Sequence, residues 1–191
     1  SVTELTFTSV NWNAAQEVTV TGADDDLADG NQPYSIVLGA AASDDNSYDG
    51  YDPSDVAATN LDNDSPDVTV STVTGPTTEA GGSATFTIAL RTQPTADVTF
   101  ALSVSDDTEG ALDVSSVTFT SDNWNAPQTV TVTGVDDNIA DGNQVYSVVI
   151  AAATSSDDGY NGLNPSDVSV TNNDNETPGI TVSVLSGDVN E

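Results

Sequence analysis

No cysteine, no methionine and no histidine occur in the sequence, and a single basic residue, Arg91, stands against 31 acidic ones. Each absence removes a class of chemistry. Without cysteine there is neither a disulfide framework nor a thiolate metal site, and cysteine usage reports nothing about redox compartment. Without histidine, cysteine or lysine the usual nucleophile–base pairs are missing. Paired carboxylates alone can cleave glycosides, but that needs an aromatic-lined cleft, and only two tryptophans and five tyrosines are present. No enzyme is expected. One arginine cannot neutralise a phosphate backbone or an anionic lipid surface, so nucleic acid and membrane surfaces are excluded as partners. No apolar run reaches the roughly 18 residues of a membrane-spanning helix, and no signal-peptide pattern is visible. The formal charge is -30 over 191 residues, and small cations are the remaining counter-charge.

What is present is a long internal repeat. Trp12 lies in "NWNAAQ" and Trp124 in "NWNAPQ", 112 positions apart. The same offset carries Tyr34 onto Tyr146, Pro53 onto Pro165 and Pro66 onto Pro178. Residues 2–79 align on 114–191 without a gap, with about half or more of the positions identical. A self-match of this length indicates tandem domain-sized units, not a solenoid of short repeats. The equivalent junctions Asp64-Ser65-Pro66 and Glu176-Thr177-Pro178 divide the chain. Residues 66–177 form one complete repeat, 1–65 the back part of a preceding one, and 178–191 the start of the next. The expectation is therefore an excerpt of a longer array, in which 1–65 lacks front strands and closes no core alone.

Within 66–177 the apolar residues alternate with period two in seven segments: 67–73, 83–90, 97–104, 116–120, 129–134, 145–151 and 167–171. These are rich in Val and Thr and are separated by Gly, Asp, Asn and Pro turns. No helical period is sustained. Seven short strands in about 110 residues predict an all-β fold, a tandem array of antiparallel Greek-key sandwiches. The alternation also argues against permanent disorder, which has no reason to keep one face apolar.

The acid is gathered in loops. Glu79 precedes a Gly-Gly turn; Asp106 and Asp107 follow the third strand; Asp136, Asp137 and Asp141 lie between the fifth and sixth; Asp174 and Glu176 follow the last. In a sandwich of this order those four loops can share one pole. Two carboxylates about 4–5 Å apart repel by roughly 3–4 kcal/mol at an effective dielectric of about 20. A few such pairs rival the whole stability of a small domain, about 5–15 kcal/mol. Oxygen-only ligands select a hard cation. Calcium, which takes roughly six to eight oxygens at flexible geometry, suits them better than magnesium.

Three segments resemble the Calx-β family: "TVTVTGVDDNIADGNQVYSVVI" (129–150), where a valine-rich strand runs into paired aspartates; "TEAGGSATFTIAL" (78–90); and "TNNDNETPGI" (171–180), an acidic domain end. The resemblance implies a β-sandwich binding calcium at one pole, beside the neighbouring domain. Carried over by position, it implies Glu79, Asp106 or Asp107, Asp136, Asp137, Asp141, Asp174 and Glu176 as ligands, with Asp24, Asp25, Asp29, Asp62 and Asp64 in the preceding copy. Gln144 and Asn175 depart from the pattern at positions where acid is common, which leaves the number of ions open. Cadherins also place an Asn-Asp-Asn element at a domain junction, as at 173–175, but their other calcium motifs are not visible.

Other motifs carry competing readings. The 136–141 loop is not an EF-hand, because Ile139 and Val148 fall on ligand positions when counted from Asp137. The bland alternative is a solvated acidic turn with Gly142 left-handed. "DDNSYDGYDPSD" (44–55) holds half a calcium loop, but its copy "SDDGYNGLNPSD" (156–167) has lost charge, and an ordered loop over a packed tyrosine competes. Trp12 and Trp124 read as sandwich-edge caps before glycan platforms. Asn63-Asp64-Ser65 and Asn175-Glu176-Thr177 match a glycosylation sequon that chance also explains. Together these predict a calcium-rigidified extender module of a large extracellular or cell-surface protein of bacterial type, an adhesin or filament. Its partners are neighbouring repeats and, in a filament, sister chains. A glycan- or receptor-binding adhesion module and a self-assembling sheath subunit are the alternatives.

Overall fold

In a computed structural model the described residues are 2–184 and 186–187. They form strands, turns and extended segments, and no helix among them is long and apolar enough to cross a membrane. The chain separates into two compact units, Ser1–Asp64 and Ser65–Glu191.

The first unit contains one antiparallel hairpin, β1 (Gln32–Ile36) against β2 (Val56–Asn60), with Tyr34 opposite Ala58. None of its described residues is buried. By the 112-residue offset the segment corresponds to 114–176, whose apolar face in the second unit packs against strands of 66–113.

The second unit is a sandwich of nine strands: β3 (Val68–Val70), β4 (Thr77–Thr78), β5 (Ser83–Leu90), β6 (Val98–Val104), β7 (Gly110–Leu112), β8 (Ser116–Phe119), β9 (Gln128–Gly134), β10 (Gln144–Ile150) and β11 (Val168–Asn173). One sheet has the order β4-β11-β10-β6-β8, the other β3-β5-β9-β7. Each of the seven alternating segments contains a strand. β4 and β7 are additional, and at two and three residues they are too short to display a period.

Alternation places the core. Ala84, Phe86, Ile88 and Leu90 of β5 point inward, with Ala84 opposite Val132 and Phe86 opposite Val130 of β9. From the facing sheet come Tyr146, Val148 and Ile150 of β10 and Val168 and Val170 of β11. Phe100 and Phe119 meet edge to face at 6.4 Å, the arrangement the ring quadrupole favours. Trp124 packs half-buried against this core, as an edge cap does. The sandwich positions the acidic loops through one parallel pairing: β4 lies beside β11, with Asn172 opposite Thr77 and Asn173 opposite Thr78.

Candidate metal centre

The chain leaves β11 through Asn173-Asp174-Asn175-Glu176, and backbone groups hold this exit in place. Asp174 accepts the Glu176 N–H at 2.7 Å through one oxygen and the Gly142 N–H at 2.7 Å through the other. These bonds, Glu176 first, hold its carboxyl below the usual 3.8. Gly142 has φ +78°, a left-handed conformation that glycine adopts without steric cost, and this directs its N–H at Asp174. Gln144 donates its amide to the Asp141 and Gly142 carbonyls, at 3.3 and 3.1 Å. An acid there could not donate, so the departure at this position closes the turn.

Glu79 follows β4 directly. Its N–H donates to the Asn173 carbonyl at 3.1 Å, and its carboxylate accepts the Asn175 N–H at 3.1 Å. Only 3% of the residue is exposed. Carboxylate oxygens of Glu79, Asp174 and Glu176 all lie within 4.8 Å of one another. Asp136 lies beside them and accepts the Asn175 side-chain amide at 3.0 Å, so the second departure supplies a donor to a predicted ligand.

One atom tests whether a cation fits. Glu176 Oε2 is buried and has no hydrogen-bond donor. Its neighbours are carboxylates, and ionised carboxylates only accept. A proton or a cation between them gives that oxygen a partner and relieves the repulsion. In the absence of a cation the Glu176 carboxyl is pushed up to about 7: first by sharing a hydrogen with Glu79, then by burial, by Asp174, and by the charges of Glu79 and Asp136. Oxygens bound to one calcium ion, each about 2.3–2.6 Å from it, are at most about 4.6–5.2 Å apart, and the three carboxylate oxygens lie within that reach of one another. The donor set is oxygen alone, as a hard cation requires.

A second group joins Glu109, Asp137 and Asp141, again with carboxylate oxygens within 4.8 Å of one another. Asp137 accepts the Ile139 N–H at 2.6 Å. Glu109 immediately precedes β7, is 7% exposed, and accepts the Asn172 amide at 3.2 Å.

Spacing in the sequence points to Asp106 or Asp107 and does not single out Glu109. The structure uses Asp106 differently: it accepts the Thr108 hydroxyl at 2.6 Å and the Thr108 N–H at 3.0 Å, and these bonds lower its pKa. Asp107 is exposed and joins neither group. The signal available for Glu109 was its place directly ahead of a strand end. Its repeat counterpart would lie before residue 1, so the internal alignment could not flag it.

In the first unit Asp25, Asp29, Asp62 and Asp64 line one recess with Gly30 and Asn63, and Asp24 precedes Asp25 in the same turn. The backbone bonds repeat: Asp62 accepts the Gly30 N–H at 2.6 Å and the Asp64 N–H at 2.8 Å. Burial, followed by the charges of Asp62, Asp24, Asp26 and Asp25, raises the Asp64 carboxyl.

The 156–167 loop is built otherwise. Burial pushes the Asp157 carboxyl up, but Thr95, Gly159 and Tyr160 donate to it and together hold it below the usual 3.8. Tyr160 is buried beneath, bonded to Thr92 at 2.7 Å. This is the ordered loop over a packed tyrosine.

The Calx-beta domain model matches residues 2–64 and 62–176. No curated protein matches the chain. Calx-beta domains are non-catalytic β-sandwiches that bind calcium, and the acidic groups at the β11 exit and the β9–β10 loop are able to hold such a metal. With its model matched over nearly the whole length, the chain belongs to the Calx-beta domain family.

Proposed function

We propose that this chain is a calcium-rigidified extender segment of a long extracellular or cell-surface repeat protein, an adhesin or filament. The observation that carries the reading is the donorless, buried oxygen of Glu176. It sits where the polypeptide passes from β11 towards Pro178, the first residue of the next copy in the repeat. A cation held by Glu79, Asp174 and Glu176 stiffens that exit, because it ties the strand end to the β4 end through bonds stronger than any the backbone makes there.

Glu109, Asp137 and Asp141 hold a second ion in the same reading, and Asp136 lies beside the first group. In the first unit Asp24, Asp25, Asp29, Asp62 and Asp64 are the corresponding set. Calcium supplies the positive charge that a chain with one arginine lacks. The residual acidity keeps identical repeats soluble and apart. The partners are adjoining repeats of the same kind and, in a filament, sister chains.

The test is hydrodynamic. Calcium should lengthen and stiffen the chain in small-angle scattering and raise its melting temperature, and a chelator should reverse both. Unchanged length and melting temperature on chelation would refute the reading.

A further inference from the structure

The inward positions of β11 are Val168, Val170 and Asn172. A strand that places two valines against the core therefore places an amide at the third inward position, with no exposed surface. Burying an amide is unfavourable unless its bonds are made, and here its oxygen is satisfied from β4 and its nitrogen reaches the acidic segments. Asn172 Oδ1 accepts the Thr77 hydroxyl at 3.0 Å, and that hydroxyl lies 3.2 Å from the Tyr146 hydroxyl. Asn172 Nδ2 donates to the Glu109 carboxylate at 3.2 Å and to the Val135 carbonyl at 3.0 Å. The Val135 N–H in turn donates to the Glu109 carbonyl at 3.1 Å. Val135 is thus clamped at both ends immediately before Asp136 and Asp137.

Room for the amide comes from Gly134, where a Cβ would stand 2.4 Å from Asn172 Oδ1 and 2.3 Å from the Thr78 carbonyl. The first unit repeats the core of this device. Asn60 donates to the Ala23 carbonyl at 2.8 Å, and a Cβ on Gly22 would stand 2.2 Å from Asn60 Oδ1.

We infer that Asn172 is the positioning residue of the metal centre: one buried amide that aims Glu109, fixes the root of the 136–141 loop, and ties both to the strand whose exit carries Asp174 and Glu176. This rests on the calcium reading above. Outer-shell partners that orient metal ligands typically change affinity by about 10–100-fold when removed.

The test compares Asn172→Ala with Val170→Ala, a core truncation on the same strand, and with Glu109→Gln, in the full chain. Calcium is titrated while the Ile139 backbone amide is followed by NMR, and melting temperatures are taken without calcium. Val170→Ala should lower the melting temperature and leave the Ile139 midpoint where it is in the parent chain. Asn172→Ala should raise that midpoint about 10–100-fold, as Glu109→Gln does. Where Asn172→Ala does not fold, the Asn172 side-chain amide resonance of the parent chain takes its place. It should shift with the Ile139 midpoint in the parent chain and move to the same higher midpoint as Ile139 in Glu109→Gln. If Glu109→Gln weakens binding while Asn172→Ala does not, or the Asn172 amide stays still as calcium binds, the inference is overturned and the calcium reading stands. If Ile139 in the parent chain never responds saturably, the calcium reading fails and takes the inference with it.

Discussion

The Gly142 N–H donates to Asp174 at 2.7 Å, joining the tip of the β9–β10 turn to the end of β11. The geometry depends on φ +78° at Gly142. Gly142→Ala puts a Cβ into the left-handed region at a cost of roughly 1–2 kcal/mol. The expected result is a lower melting temperature together with weaker calcium binding, read by thermal denaturation and calorimetric titration. Gly75→Ala, at a glycine with open space and ordinary φ, serves as the control and should change neither.

The proton held near Glu176 predicts a pH dependence. Its folded-state pKa, about 7, lies above the usual 4.5. A carboxyl with a raised folded pKa favours the folded state at low pH, and that contribution is lost as pH rises through the window from 4.5 to about 7. With chelator present, the second unit should melt at a higher temperature near the lower end of that window than above it. Calcium displaces the proton, so its stabilising effect should grow across the same window and its binding should release protons below about 7. The depressed carboxyls of Asp174, Asp106 and Asp157 act with the opposite sign, losing their contribution as pH falls below 3.8, so they do not mask it.

Equivalent phenylalanines in different surroundings give a third prediction. Phe119 is fully buried, while its repeat counterpart Phe7 is 55% exposed. Phe119→Ala should cost about 3–5 kcal/mol. Phe7→Ala should change stability by less than about 0.5 kcal/mol, as exposed substitutions usually do. Denaturant titration of the two variants decides it.

Asp157 separates structural from metal-holding acid. It accepts the Thr95 N–H at 2.7 Å and the Thr95 hydroxyl at 3.0 Å, closing the loop over Tyr160. Asp157→Ala should lower the melting temperature without altering calcium affinity. Asp137→Asn should do the reverse in calcium-free buffer: it relieves repulsion, raises the melting temperature, and weakens binding.

Much of this fold was legible because a sandwich strand buries every second residue, and Val, Phe and Ile stand at every second place through β5, β6, β9 and β10. The strands β4 and β7 were not legible. They owe their existence to pairing with β11 and β9, which is long-range information. The acidic loops could be read as one pole from strand order, and Glu79, Asp174 and Glu176 do meet. Glu109 is buried and meets Asp137 and Asp141, while Asp106 closes a local turn with Thr108, and spacing reveals neither. Asn172 lay in plain view on the inward phase of β11, but inward polarity becomes informative only once its partners across the sandwich are known.

The most direct test of a cation between Glu79, Asp174 and Glu176 is the melting temperature of the full chain with calcium, with magnesium and with chelator, repeated for Glu176→Gln. A saturable rise with calcium, smaller with magnesium and reduced in Glu176→Gln, is the predicted result. A melting temperature that responds to the three conditions only as it does to ionic strength, in both proteins, would contradict it.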